Sequence, residues 1–161
     1  MTKAVFLDRD GVVNQDYGYV YKKEDFEFVP GLFDYLRHMG LPVVIITNQS
    51  GLGRGYFTQS DLDTLNGFIQ QRFAKEGVKL LGIYYCPHRP DEGCSCRKPS
   101  PLMIQQAAKE YGIDLENSVM IGDKLSDIDA AKAAGVGKKI AFRSRLNGAD
   151  IIAYDFKELI P

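Results

Sequence analysis

The sequence predicts an α/β fold in which a parallel sheet carries helices on both faces. Short apolar runs at 4–7, 41–47, 81–85, 119–121 and 139–142 alternate with segments of helical period, and that alternation is the mark of strands joined by crossover helices. Polar clusters follow three of the runs directly: Asp8-Arg9-Asp10, Thr47-Asn48-Gln49-Ser50 and Gly122-Asp123-Lys124. In open parallel sheets ligands bind beyond the carboxyl ends of the strands. The length, 161 residues, suits one domain over 1–161 with a single core and leaves room for only a small covering segment.

The elements follow in order. The stretch 4–13 is an apolar run that ends in Asp8 and Asp10 and then Gly11, which lets the chain turn sharply. Residues 12–30 have no helical period and read as a loop or small hairpin. From Pro30-Gly31 a helix begins, with Leu32, Phe33, Tyr35, Leu36 and Met39 on one face and Gly40 as its stop. The strand 41–47 leads to a glycine-rich, flexible turn over 51–55. Thr58 and Asp61 resemble a capping box for the next helix, whose apolar face is Leu62, Leu65, Phe68, Ile69 and Phe73 and whose end is Gly77. The strand 81–85 feeds a cysteine loop. A helix over 101–111 stops at Gly112, the strand 119–121 delivers Asp123, and an alanine-rich helix over about 126–134 stops at Gly135. The strand 139–142 and a last apolar stretch at 151–153 complete the pattern.

Composition narrows the function classes. A hydrophobic fraction of 45% with 25% charged residues is that of a soluble globular protein. The net charge is −1 with no block of lysine or arginine, which argues against bulk binding to nucleic acid or anionic lipid. No apolar run is long enough to span a bilayer, and the N-terminus lacks a signal-peptide pattern, so a cytoplasmic location is expected. Without a long apolar surface segment the expected state is a monomer.

Asp8 and Asp10 differ by two positions, so in an extended backbone they point the same way, and close carboxylates repel unless a cation lies between them. A bare pair of this kind is equally a strand-end turn with solvated acids. Cys86, His88, Cys94 and Cys96 offer three thiolates and an imidazole, a donor set that suits tetrahedral Zn²⁺ with no open position. The loop 86–96 contains prolines and few apolar residues, so metal binding would fix its shape and position Arg97 and Lys98, which follow at once. His38, near a helix C-terminus, reads as a surface residue.

The string Asp8-Arg9-Asp10-Gly11-Val12-Val13-Asn14 after an apolar strand resembles the first motif of the haloacid dehalogenase superfamily of phosphohydrolases. Ile45-Ile46-Thr47-Asn48, Arg97-Lys98-Pro99 and Gly122-Asp123-Lys124-Leu125-Ser126-Asp127 resemble the remaining motifs, in the required order. The resemblance implies a Rossmann-like, capless fold, with Asp8 as nucleophile and Asp10 as acid and then base. It further implies Thr47 and adjacent N–H groups around the phosphoryl group, Lys98 as an offsetting cation, and Mg²⁺ held by Asp8, the Asp10 backbone carbonyl and Asp123, with Asp127 in support. The cysteine loop narrows the likeness to two branches, the heptose bisphosphate phosphatases and the histidinol-phosphate phosphatases.

Asp16-Tyr17-Gly18-Tyr19-Val20, Asn48-Gln49-Ser50-Gly51 with Arg54-Gly55-Tyr56-Phe57, and Gly82-Ile83-Tyr84-Tyr85-Cys86-Pro87-His88 resemble the heptose branch. The five residues between His88 and Cys94 resemble the histidinol branch instead. For a small sugar bisphosphate, Arg54 and Arg97 would meet the second phosphate, and Asp16, Gly18 and Tyr19 would touch sugar hydroxyls. Tyr17, Asn48, Gln49, Ser50 and Lys124 join the expected substrate contacts, while Tyr17 and Tyr19 suit loop packing equally. A zinc-stabilised binding domain without turnover is the rival from another class.

Overall fold

The computed structural model describes residues 1–161. Six strands form one sheet: β1 (Val5–Leu7), β2 (Val43–Asn48), β3 (Leu80–Cys86), β4 (Val119–Gly122), β5 (Lys138–Phe142) and β6 (Ile151–Ala153). Their order is β3-β2-β1-β4-β5-β6, and every pairing is parallel. Strand β1 is only three residues long but lies in the middle, with Leu7 in register with Ile45 of β2 on one side and Ile121 of β4 on the other. The strand order reverses between β1 and β4, the switch point at which such sheets open a crevice.

Alternate residues of each strand feed two cores. Val5, Leu7, Val43, Ile45 and Ile121 face one side, where α1 (Leu32–Met39) and α3 (Gln59–Lys75) contribute Leu36, Leu65, Ile69 and Phe73. Phe6, Val44, Ile46 and Met120 face the other, packed with Met103, Ile104 and Ala107 of α4 (Leu102–Tyr111) and Ala130 and Ala131 of α5 (Leu125–Ala134). Near-continuous apolar strands are what a sheet covered on both faces requires. The Thr58 capping box is present, with its hydroxyl accepting from the Asp61 N–H and the Asp61 carboxylate accepting from the Thr58 N–H.

One expectation changes. The turn expected over 51–55 begins as a short helix, α2 (Ser50–Gly53), and Gly53 donates to the Pro87 carbonyl, which packs this turn against the start of the cysteine loop. Residues 12–30 form the small hairpin that was one of the two expected forms, closed by an antiparallel bridge between Asn14 and Phe28 and interrupted by a 3-10 turn at Lys23–Asp25. No helix is long and apolar enough to cross a membrane.

Candidate active site

Asp8 is the first residue beyond β1, and its N–H donates to the Ile121 carbonyl, so the sheet itself fixes its backbone. Its carboxylate is 5% exposed and lies at the base of a polar cleft of about 320 Å³. The Lys98 ammonium, equally buried, donates to Asp8 Oδ1 at 2.8 Å, to Asp127 Oδ1 at 2.5 Å and to the Ile46 carbonyl at 2.8 Å. Three acceptors use its three protons. Lys98 comes from the loop after the cysteines and is held there by Asn48, whose side chain accepts from the Lys98 N–H and donates to its carbonyl.

The charges interlock. Burial would raise the Asp8 carboxyl, but Lys98 and a hydrogen bond with Asp123 outweigh it and hold Asp8 below the usual range, ionised and fit to attack. Burial would likewise lower Lys98, and Asp127 and Asp8 together raise it instead. Asp123 is pushed up to about 7, first by burial and then by the Asp8 charge. Asp127 rises to about 6 for the same reasons, with Lys98 opposing.

Ligand atoms of Asp8, Asp123 and Asp127 lie within 4.8 Å of one another, and Asp123 Oδ1 is buried without a hydrogen-bond partner. No backbone donor reaches the Asp10 carbonyl. Hard oxygens that are crowded, under-paired and reluctant to ionise together fit a hard divalent cation. Gly11, at φ +94°, leaves the space that the Asp123 carboxylate fills, and a Cβ there would collide with it.

The Asp10 side chain takes another direction. Its Oδ1 accepts from Arg9 Nη2 at 2.8 Å and Asn14 Nδ2 at 3.1 Å, and its Oδ2 accepts from Gln49 Nε2 at 3.0 Å. That arrangement keeps the carboxyl out of the acidic cluster and on the cleft wall. The expected place of Asp10 in a cation shell therefore falls to its carbonyl alone. Arg9, which sequence reasoning passed over as a spacer, is fully buried, donates also to the Val20 carbonyl and lies over the Phe26 ring. The only available signal was a charged residue inside an otherwise apolar strand end.

Asp16, Gly18, Tyr19, Asn48, Gln49, Ser50, Arg97 and Lys124 also line the cleft, together with Gly51 and Ser126, which were not expected there. Three of the expected substrate contacts do not line it. The Thr47 hydroxyl is 2% exposed and accepts from Gln49 Nε2 at 2.9 Å, so it supports the wall from behind. Tyr17 turns to Glu27, and Arg54 is exposed outside the cleft lining. His38 is exposed in the last turn of α1, as expected.

The thiols of Cys86, Cys94 and Cys96 and a ring nitrogen of His88 come together within 4.8 Å. Cys96 Sγ lies 2.7 Å from Cys86 Sγ, and His88 Nδ1 lies 3.4 and 3.3 Å from these two sulfurs. Burial would raise Cys94, but the Arg97 N–H and neighbouring donors bring it to about 6.

The HAD-hydrolase-like family profile matches residues 95–140. The chain is 48% identical over 165 aligned residues to the D-glycero-beta-D-manno-heptose-1,7-bisphosphate 7-phosphatase of Helicobacter pylori, covering 98% of this chain and 95% of that protein. The chain belongs to this phosphatase family. The Escherichia coli (strain K12) member is 45% identical, covering 88% of this chain and 79% of its own length. Among solved structures, the D,D-heptose 1,7-bisphosphate phosphatase from B. bronchiseptica, complexed with magnesium and phosphate, matches with a TM-score of 0.86 and 32% identity. That match covers 98% of this chain and 96% of the other. Membership of the family accounts for the parallel six-stranded sheet and for the catalytic-type carboxylates at its switch point.

Proposed function

We propose that residues 1–161 form one phosphatase domain that removes the 7-phosphate of D-glycero-D-manno-heptose 1,7-bisphosphate, leaving the heptose 1-phosphate and inorganic phosphate. The observation that carries this reading is the buried Lys98 ammonium clasped between Asp8 and Asp127 beside the under-paired Asp123, in a chain 48% identical to the Helicobacter pylori enzyme. Asp8, ionised and fixed by β1, attacks phosphorus, and its P–O bond forms as the bond to the sugar O7 breaks. Asp10, on the opposite wall and oriented by Arg9, Asn14 and Gln49, gives its proton to O7. It then takes one from the water that cleaves the aspartyl-phosphate, which restores Asp8. Lys98 offsets charge on the nucleophile throughout.

Magnesium, held by Asp8, the Asp10 carbonyl and Asp123, would supply electrostatic relief for the charge that develops on the transferring phosphoryl group. The magnesium complex of the B. bronchiseptica relative supports that ion. Zinc at Cys86, His88, Cys94 and Cys96 would be structural, since four protein ligands leave no open position. Arg97, Lys124, Asp16, Gly18, Tyr19, Asn48, Gln49 and Ser50 are the contacts proposed for the sugar bisphosphate, in a cytoplasmic, monomeric enzyme.

The spacing of five residues between His88 and Cys94 favours histidinol phosphate as the second reading. Comparing kcat/KM on both heptose bisphosphate anomers and on histidinol phosphate separates the two, and a preference for the amine substrate would overturn the first. Asp8→Asn is expected to abolish steady-state turnover while the thermal unfolding transition is kept. Continued turnover in that variant would exclude Asp8 as nucleophile.

A further inference from the structure

We infer that Tyr56 positions Tyr19 as an aromatic wall for the sugar, and that this pair sets selectivity for the sugar bisphosphate over small phosphoesters. The inference rests on the heptose reading above. Tyr19 is the one hydrophobic residue in the lining of an otherwise polar cleft. Its backbone is held at φ 51° directly after Gly18 at φ 84°. A bulky residue adopts that left-handed conformation only where its surroundings impose it, and such positions gather at ligand sites.

The surroundings that impose it come from a second loop. The Tyr56 ring meets the Tyr19 ring edge-on, with centroids 4.8 Å apart and planes at 80°. Beneath them Phe57 stacks on Tyr21 at 5.4 Å and 20°. Gly51 makes this possible, because a Cβ there would lie 3.0 Å from Tyr19 Cδ1 and would strike the Phe57 ring. The Tyr56 N–H donates to the Gly51 carbonyl at 2.9 Å, which fixes the second loop to the same glycine. Two aromatic contacts therefore pin the loop that carries Asp16 and Gly18 to the loop that follows α2.

Both tyrosines remain about half exposed, at 47% and 54%. Neither is needed as core, yet each is held in one geometry beside a cleft whose other lining side chains, two glycines aside, are all polar or charged. A heptose ring presents hydroxyls around its edge and C–H bonds on its faces. The polar wall suits the first, and a rigid aromatic face suits the second at little entropic cost. Tyr56 does not line the cleft, so it acts through Tyr19 as a positioning residue.

The test measures kcat and KM separately for heptose bisphosphate and for p-nitrophenyl phosphate in the wild type, Tyr56→Ala and Tyr56→Phe. For Tyr56→Ala, KM for the sugar bisphosphate is expected to rise about ten-fold, more than kcat changes, and the ratio of kcat/KM between the two substrates to fall by about the same factor. Tyr56→Phe is expected to restore both, because the edge contact uses the ring and not the hydroxyl. An unchanged ratio, or loss on both substrates alike, would overturn the inference, as would a Phe variant that resembles the Ala variant. A wild type that does not turn over the sugar bisphosphate would refute the heptose reading, and the inference with it. Wild-type turnover with an unchanged ratio in Tyr56→Ala would refute the inference alone.

Discussion

Replacing Lys98 with methionine removes the one ammonium that separates Asp8 from Asp127. Its three contacts run from 2.5 to 2.8 Å and its side chain is 2% exposed. Breaking a buried pair by deleting one partner costs about 3–5 kcal/mol, and here two carboxylates are stranded, so the upper part of that range is expected at pH 8. Against a total stability of roughly 5–15 kcal/mol, the variant folds but unfolds at lower urea.

The pH dependence identifies the cause. The folded-state value of Lys98 is raised, so its contribution is complete below the unfolded value and is lost only as pH climbs through the folded one. Asp8 is lowered, so its contribution is complete above 3.8 and is lost as pH falls through its folded value. Between pH 5 and 8 both are constant. Asp127, at about 6, and Asp123, at about 7, have the opposite sign: the folded state holds their protons longer, and ionisation costs stability as pH rises from 3.8 through those values in the wild type and the variant alike. Without Lys98, which opposes that rise, the Asp127 value climbs further. At pH 5 a proton on Asp127 then replaces the missing ammonium, while at pH 8 nothing does. Urea midpoints in magnesium-free buffer should therefore fall more at pH 8 than at pH 5. A wild-type midpoint at pH 8, or equal losses at both values, would refute the reasoning.

Gly11→Ala forces a side chain into φ +94° and into the space of the Asp123 carboxylate. Strain of about 1–2 kcal/mol is expected, together with magnesium affinity weakened by about 10–100-fold in calorimetric titration; unchanged affinity would remove Asp123 from the cation site. Elemental analysis of the purified wild type should give about one zinc per chain, and Cys96→Ala less than about half. The variant should also lose turnover, because Arg97 and Lys98 follow the cluster, and full activity without zinc would uncouple the loop from the cleft.

The fold was legible because its strands are buried on both faces. Runs such as Val43-Val44-Ile45-Ile46 admit few alternatives once helical segments lie between them. The acids were legible as motif strings tied to strand ends, and Lys98 as one on the loop between the cysteines and a helix. What stayed hidden depends on side-chain direction, which spacing does not encode. Asp8 and Asp10 share the parity of one strand face, but β1 ends at Leu7, so parity stops applying one residue before the first acid. Thr47 lies within β2, where its hydroxyl turns to Gln49 and away from the cleft. Arg54 lies at the end of α2, a helix concealed by its glycines, and is exposed outside the cleft lining.

In the proposed mechanism, the separate roles of Asp8 and Asp10 rest on what each is paired with, more than on distance. Asp8 receives an ammonium shared with Asp127 at the buried base of the cleft, and that ammonium holds its carboxyl below the usual range, as an anion. Asp10 receives a guanidinium and two amides while 19% of its side chain stays in contact with the cleft. Three directed donors fix both of its oxygens without drawing the carboxyl into the acidic cluster. Arg9 makes this possible from the interior: the residue between the two acids folds under the strand end, satisfies the Val20 carbonyl and turns Asp10 away from Asp8. A neutral residue at position 9 would leave the two carboxylates free to converge on the same cation, and the chain would hold a metal site without a separate acid.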